Sequence, residues 1–167
     1  AFSPDGQMVA SASEDNTVNL WWVQKGQQVR TLRGHQSAVW GVAFSPDGQT
    51  ALAAGCGSGE DGACSAGEIV LFDKATRSES GRLQGQQDTI TSAVFAPDGR
   101  GLWSASRDGS IAQWDLQEGG RIVQQVALDL GSIQQIALSP DGTSLLAGTQ
   151  SGLVALINTA DMTIMRR

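Results

Sequence analysis

The chain has 167 residues, of which 40% are hydrophobic and 17% charged, and its net charge is −6. This is the composition of a globular protein rather than a disordered one. No apolar run approaches the ~18 residues a membrane span needs, and no basic cluster occurs beyond Arg166-Arg167. Neither membrane insertion nor nucleic-acid binding is therefore expected.

One motif punctuates the chain. Phe2-Ser-Pro-Asp-Gly-Gln7 returns as Phe44-Ser-Pro-Asp-Gly-Gln49, Phe95-Ala-Pro-Asp-Gly-Arg100 and Leu138-Ser-Pro-Asp-Gly-Thr143, with starts 42, 51 and 43 residues apart. A fixed period of this size marks a repeat architecture. Each Pro-Asp-Gly reads as a turn: Pro presets φ, Asp bonds the local backbone, and Gly accepts a positive φ.

Short apolar runs lie between the turns. After the first turn come runs over 8–13, 17–23 and 27–32. The second unit has 38–44, 50–54, 68–73 and 77–83, and the third has 90–95, 101–106, 110–116 and 121–128. The fourth has 133–138, 144–149, 153–158 and 162–167. Such runs between Gly, Asp, Asn and Pro turns predict an all-β chain with four antiparallel strands per unit. The first strands are the most apolar and the fourth the most polar, which places the former at a packed centre and the latter at a rim.

The second unit is nine residues longer than the first. The excess, Gly55-Cys-Gly-Ser-Gly-Glu-Asp-Gly-Ala-Cys-Ser-Ala-Gly67, holds both cysteines. Gly-rich composition reads as a loop enlarging a hairpin tip. The hairpin stems could bring Cys56 and Cys64 together as a disulfide; two free thiols are the alternative. A disulfide would place the protein in an oxidising compartment, free thiols in the cytoplasm. Two thiols without a nearby His are too few for zinc, and Glu60 with Asp61 too few oxygens for calcium.

The repeats resemble the WD40 β-propeller family. Trp114-Asp115 is the family's signature dipeptide, with looser forms at Trp21-Trp22, Phe72-Asp73 and Ile157-Asn158. Gly34-His35 is its other signature, weakened to Gly85-Gln86 before the third unit. The resemblance covers essentially the whole chain and implies one propeller segment. Its blades fall at about 1–33, 34–84, 85–128 and 129–167, the first lacking most of its first strand. A ring of about seven blades is usual in such propellers. The expectation is a fragment of a longer propeller, an open arc with two uncovered apolar end faces met by further blades of the full-length chain or by a second copy.

The resemblance also implies residue roles. A buried network in each blade would draw on Ser13, Asp15 and Trp21 in the first, His35 in the second, and Ser106, Asp108 and Trp114 in the third, with Gln86 where His is expected. No blade has the full set, so packing between sheets is expected to hold the blades. Partner contacts would come from the residue one place into each first strand (Trp40, Thr91 and Gln134) and from the residue before each turn acid (Glu14, Arg107 and Gln150). Trp40 stands out because its siblings are polar and Trp is enriched at binding hot spots. Trp103 aligns with Ala10, Ala53 and Leu146 and reads as a core wedge.

With one His, no Tyr, and no nucleophile, phosphate-loop or metal motif, no catalytic residue, cofactor site or metal site is assigned. The reading is a non-catalytic scaffold for protein or peptide partners. A sensory propeller within a multidomain protein is the second reading. A propeller of the hydrolase or periplasmic translocation type, which also repeats Pro-Asp-Gly, is the third.

Overall fold

The computed structural model describes residues 1–60, 63–117 and 119–166. It contains fifteen strands among those residues, arranged as four antiparallel sheets in chain order. The first sheet is β1 (Met8–Ala12), β2 (Val18–Trp22) and β3 (Gln27–Leu32); Phe2 adds a bridge to Val9 beside β1. The second is β4 (Val39–Phe44), β5 (Thr50–Glu60), β6 (Ala63–Asp73) and β7 (Ser78–Gln84). The third is β8 (Ile90–Phe95), β9 (Gly101–Ser106), β10 (Ser110–Asp115) and β11 (Arg121–Ala127). The fourth is β12 (Ile133–Leu138), β13 (Ser144–Thr149), β14 (Val154–Asn158) and β15 (Ile164–Arg166).

The Pro-Asp-Gly turns are built as their chemistry demands. The Gly N–H donates to the carbonyl three residues back at 2.8–2.9 Å in all four copies. Gly6, Gly48, Gly99 and Gly142 have φ between 67° and 74°, where a side chain would be strained. The Ser hydroxyls of Ser3, Ser45 and Ser139 donate to Asp5, Asp47 and Asp141 at 2.5–2.6 Å. Those bonds, foremost, hold the three carboxyls below the ordinary value of 3.8.

The core lies between sheets. Met8, Ala10, Val18 and Leu20 meet Val39, Ala53, Val70 and Phe72. Leu52, Ala54, Ile69 and Leu83 meet Ile90, Leu102, Ala112 and Trp114. Trp103, Ala105 and Ile111 meet Ile133, Ile136, Leu145 and Ile157, which makes Trp103 a wedge between the third and fourth sheets. Alternate residues of β5 and β6 thus face opposite neighbours, so these strands are buried on both sides. The polar fourth strands run along the rim.

Two expectations change. The Gly-rich insertion is not a loop: it extends β5 and β6 into a paired hairpin as far as Glu60↔Ala63. Glycine is required there by close approach; a Cβ on Gly57 would sit 2.7 Å from the Cβ of Glu68. The acidic pair Glu60-Asp61, set aside above as a calcium site, falls in part outside the described residues, since Asp61 is not among them. The sheets form an open arc, but only the fourth end face is apolar, with Leu146 and Val154 45% and 52% exposed. The first end face is mixed: Asn19, Gln28 and Thr31 bond one another there.

Candidate functional site

A β-bulge falls at the same place in three first strands. The register slips between Val39 and Gly41, Ile90 and Ser92, and Ile133 and Gln135, so Trp40, Thr91 and Gln134 are the extra residues. Bulges re-aim a side chain and recur beside binding sites. Here the three outcomes differ. Trp40 is 45% exposed. Gln134 is half-buried and donates to Ser132 Oγ at 3.0 Å. Thr91 is buried, and its hydroxyl, within bonding distance of the carbonyls of Ala105 and Ile133, ties the third sheet to the fourth. Thr91 is therefore corrected from a partner contact to a tie between sheets: it is short enough to fold back on the backbone, where Trp40 is not.

The structure brings Trp40 and Arg107 together. The guanidinium carbon lies 4.4 Å from the centroid of the Trp40 ring, a cation–π stack joining the second sheet to the third. The Arg107 backbone is fixed by its N–H donating to Thr89 O at 3.0 Å. The next residue, Asp108, accepts from Ser110 N at 2.7 Å and from Gln87 N at 3.2 Å. A cleft of about 350 Å³ opens over the pair. The extended hairpin forms its far wall, where Cys56 and Cys64 are joined with their Cα atoms 5.8 Å apart. Glu14, Gln134 and Gln150 do not line this cleft.

Reduction is expected to loosen that wall by at most about 2 kcal/mol, since backbone pairing already shortens the loop the bond closes. Amide exchange at 57–60 and 63–66 should quicken more than ~10-fold in reductant while β8 stays protected. Unchanged exchange would mean that the hairpin stands without its crosslink.

The buried networks differ from the expected set. Trp114 Nε1 donates to Ser104 Oγ at 2.7 Å, and Ser104 donates to Gln86 Oε1 at 2.5 Å. Gln86 Nε2 then reaches Ser110 Oγ at 2.8 Å, which closes a network with every member buried. In the first blade Trp21 donates to Ser11 Oγ at 3.0 Å. The tryptophan partners are thus Ser104 and Ser11, not Ser106 and Ser13. Ala112 pairs with Ser104, and Trp114 leans back across that pair; Ser106 lies two residues further on and bonds the turn instead. Ser13 likewise accepts from Asp15 N, while Asp15 accepts from Thr17. Gln replaces His without loss because it carries both a donor and an acceptor.

In the second blade His35 meets a residue that the sequence reading missed. Glu68, 1% exposed, opens its strand segment at the position of Thr17 and Ser110, and that alignment was the available signal. Its Oε1 lies 3.4 Å from His35 Nδ1, and its Oε2 lies 2.5 Å from Arg82. Neither ring nitrogen of His35 has a hydrogen-bond partner among the described residues. Burial lowers the His35 pKa below its ordinary 6.5, against the opposing pull of Glu68.

A pH dependence follows. The unfolded chain takes up the His35 proton first, so stability is full above about pH 6.5 and declines as pH falls below it. Depressed Asp5, Asp15, Asp47, Asp73, Asp141 and Asp161 add a second loss below about 3.8, in the same direction. Melting scans should show both stages, and His35→Gln should remove the first alone. A first stage surviving in that variant would assign it elsewhere.

Four antiparallel sheets in chain order, three of them four-stranded and the first three-stranded, each carrying the Pro-Asp-Gly turn and a Trp-Asp-type dipeptide, define a β-propeller segment. The WD40 model (WD domain, G-beta repeat) matches residues 1–21 and 26–65, and the model for the cytochrome D1 heme domain matches 63–167. The chain belongs to the WD40-repeat family. It is 32% identical over 163 residues to a guanine nucleotide-binding protein subunit beta of Oryza sativa subsp. japonica, covering 88% of this chain and 39% of that protein. It is 31% identical over 156 residues to the nuclear distribution protein PAC1 of Arthroderma otae, covering 88% and 32%. It is 28% identical over 187 residues to a periodic tryptophan protein 2 homolog of Neurospora crassa, covering 100% and 20%. The chain thus spans well under half the length of these relatives.

The second model implies haem, and the residues do not fit it. Axial ligands are His, Cys, Met or Tyr. Residues 63–167 hold no His or Tyr, Cys64 is bonded to Cys56, and Met162 is sealed in the core. Met165 lies on the rim strand β15, 48% exposed. No helix among the described residues is long and apolar enough to cross a membrane.

Proposed function

We propose that this chain is a non-catalytic scaffold that captures a protein or peptide partner on its loop face, centred on Trp40 and Arg107. The observation that carries the reading is the half-exposed tryptophan, re-aimed by a bulge and stacked under an arginine from the next blade. Trp and Arg are the side chains most enriched where binding energy concentrates. Membership of a family of interaction scaffolds supports the non-catalytic assignment. The bonded cysteines support an oxidising compartment over the cytoplasm.

Peptides displayed on phage and selected on the oxidised protein test this. Selected peptides should lose most of their binding to Trp40→Ala, while that variant melts within a few degrees of the parent because the ring is already 45% exposed. Peptides that bind both proteins alike would place the contact surface elsewhere.

A further inference from the structure

We propose that the Trp40–Arg107 cleft recognises a carboxylate on an extended peptide, held beside an apolar side chain. The inference rests on the reading of this face as a partner surface and adds the chemistry of the partner.

The charge pattern is the first argument. The protein carries −6 overall, yet among the described residues Arg107 is the only charged side chain lining the cleft. No carboxylate among the described residues pairs with it, whereas Lys74 and Arg82 are both paired. A lone guanidinium in a cleft whose described lining holds no acid is a local attractor for a negative group on a surface that otherwise repels one.

The geometry of the pair is the second. The guanidinium carbon lies over the indole, and among the described residues none of the guanidinium N–H groups has a hydrogen-bond partner. Those donors form a planar fork that matches a carboxylate with two parallel bonds. The fork is held in advance, since Arg107 N is bonded to Thr89 O and the turn behind it is bonded through Asp108. Pre-organisation of this kind lowers the cost of binding. The exposed part of the Trp40 ring offers an apolar seat next to the fork, and Ser37 and Ser58 on the rim of the cleft can bond peptide backbone.

The single positive charge selects among anions. One guanidinium balances a carboxylate, whereas a phosphate near −2 calls for more than one cation. The nucleic-acid backbone is disfavoured because its row of singly charged phosphates calls for several cations, and the net charge acts against it.

The test uses capped hexapeptide pools, C-terminally amidated, with one position fixed as Glu, Gln, phosphoserine or Lys and the others random. Retention is measured on the oxidised protein and on the Trp40→Ala, Arg107→Gln and Arg107→Lys variants, each checked by its melting curve. The Glu pool should be retained at least ~10-fold over the Gln pool, and Arg107→Gln should abolish that preference. Arg107→Lys should restore it only in part, because a point charge lacks the fork. Retention that needs Trp40 but treats Glu and Gln alike would sink the carboxylate assignment and leave the partner surface standing. A phosphoserine or Lys pool retained above Glu would also sink it. If no pool is retained, both the carboxylate and the peptide surface are wrong.

Discussion

Trp114→Ala is expected to cost about 3–5 kcal/mol of stability, the range for removing a large aromatic side chain from a packed core. The ring is 1% exposed and sits in the layer between the second and third sheets. It also donates the hydrogen bond that completes the network of Ser104, Gln86 and Ser110. Folded domains have only about 5–15 kcal/mol in hand, so the third blade should be largely lost at moderate denaturant. Trp114→Phe separates the two contributions. It keeps most of the ring's contacts and forfeits the N–H, so it should cost about 1–2 kcal/mol. Equilibrium unfolding in urea, followed by far-UV circular dichroism, measures both. A cost for Trp114→Ala no larger than that of Trp40→Ala would mean that packing between sheets does not depend on this ring.

Much of the fold was legible because turns and alternation carry it. Pro-Asp-Gly at 4–6, 46–48, 97–99 and 140–142 places a tight turn without reference to anything distant, and strands such as Gly101–Ser106 and Ser144–Thr149 begin where the turns end. The extended hairpin was not legible, because glycine opposes strands by propensity. Only tertiary facts, the Cys56–Cys64 crosslink and the close approach of Gly57 to Glu68, favour pairing there. The choice of Ser104 over Ser106 was hidden for a different reason. Both lie on one face of β9, two residues apart, and only the lean of Trp114 across the Ala112–Ser104 pair selects between them. The candidate site was half visible. Trp40 and Arg107 sit 67 positions apart in sequence, and nothing in either stretch indicates that a bulge in one blade and a turn in the next converge. Glu68 was missed because an acidic residue beside a glycine-rich stretch reads as solvated. Its burial follows from His35 and Arg82 closing over it.

Arg82→Ala is expected to cost about 3 kcal/mol, mostly through what it leaves behind. Glu68 is fully enclosed, and Arg82 is its strong counter-ion at 2.5 Å, with Gln84 adding a bond at 3.2 Å. Removing one partner of a buried pair costs about 3–5 kcal/mol because the other charge stays buried without compensation. The lower end applies because the Arg82 side chain is itself 31% exposed, so water can take part of its place. Arg82 also donates to Gly34 O at 3.3 Å and pairs with Glu79, contacts near the surface that add little. Glu68→Gln tests the mechanism. Alone it should be mildly destabilising, since a neutral amide still accepts from Arg82 and needs no counter-charge. Combined with Arg82→Ala it should recover at least ~1 kcal/mol relative to additivity, because no charge is then stranded. Strict additivity would show that Arg82 acts only through the rim contacts, and that His35 and Gln84 suffice to hold the carboxylate.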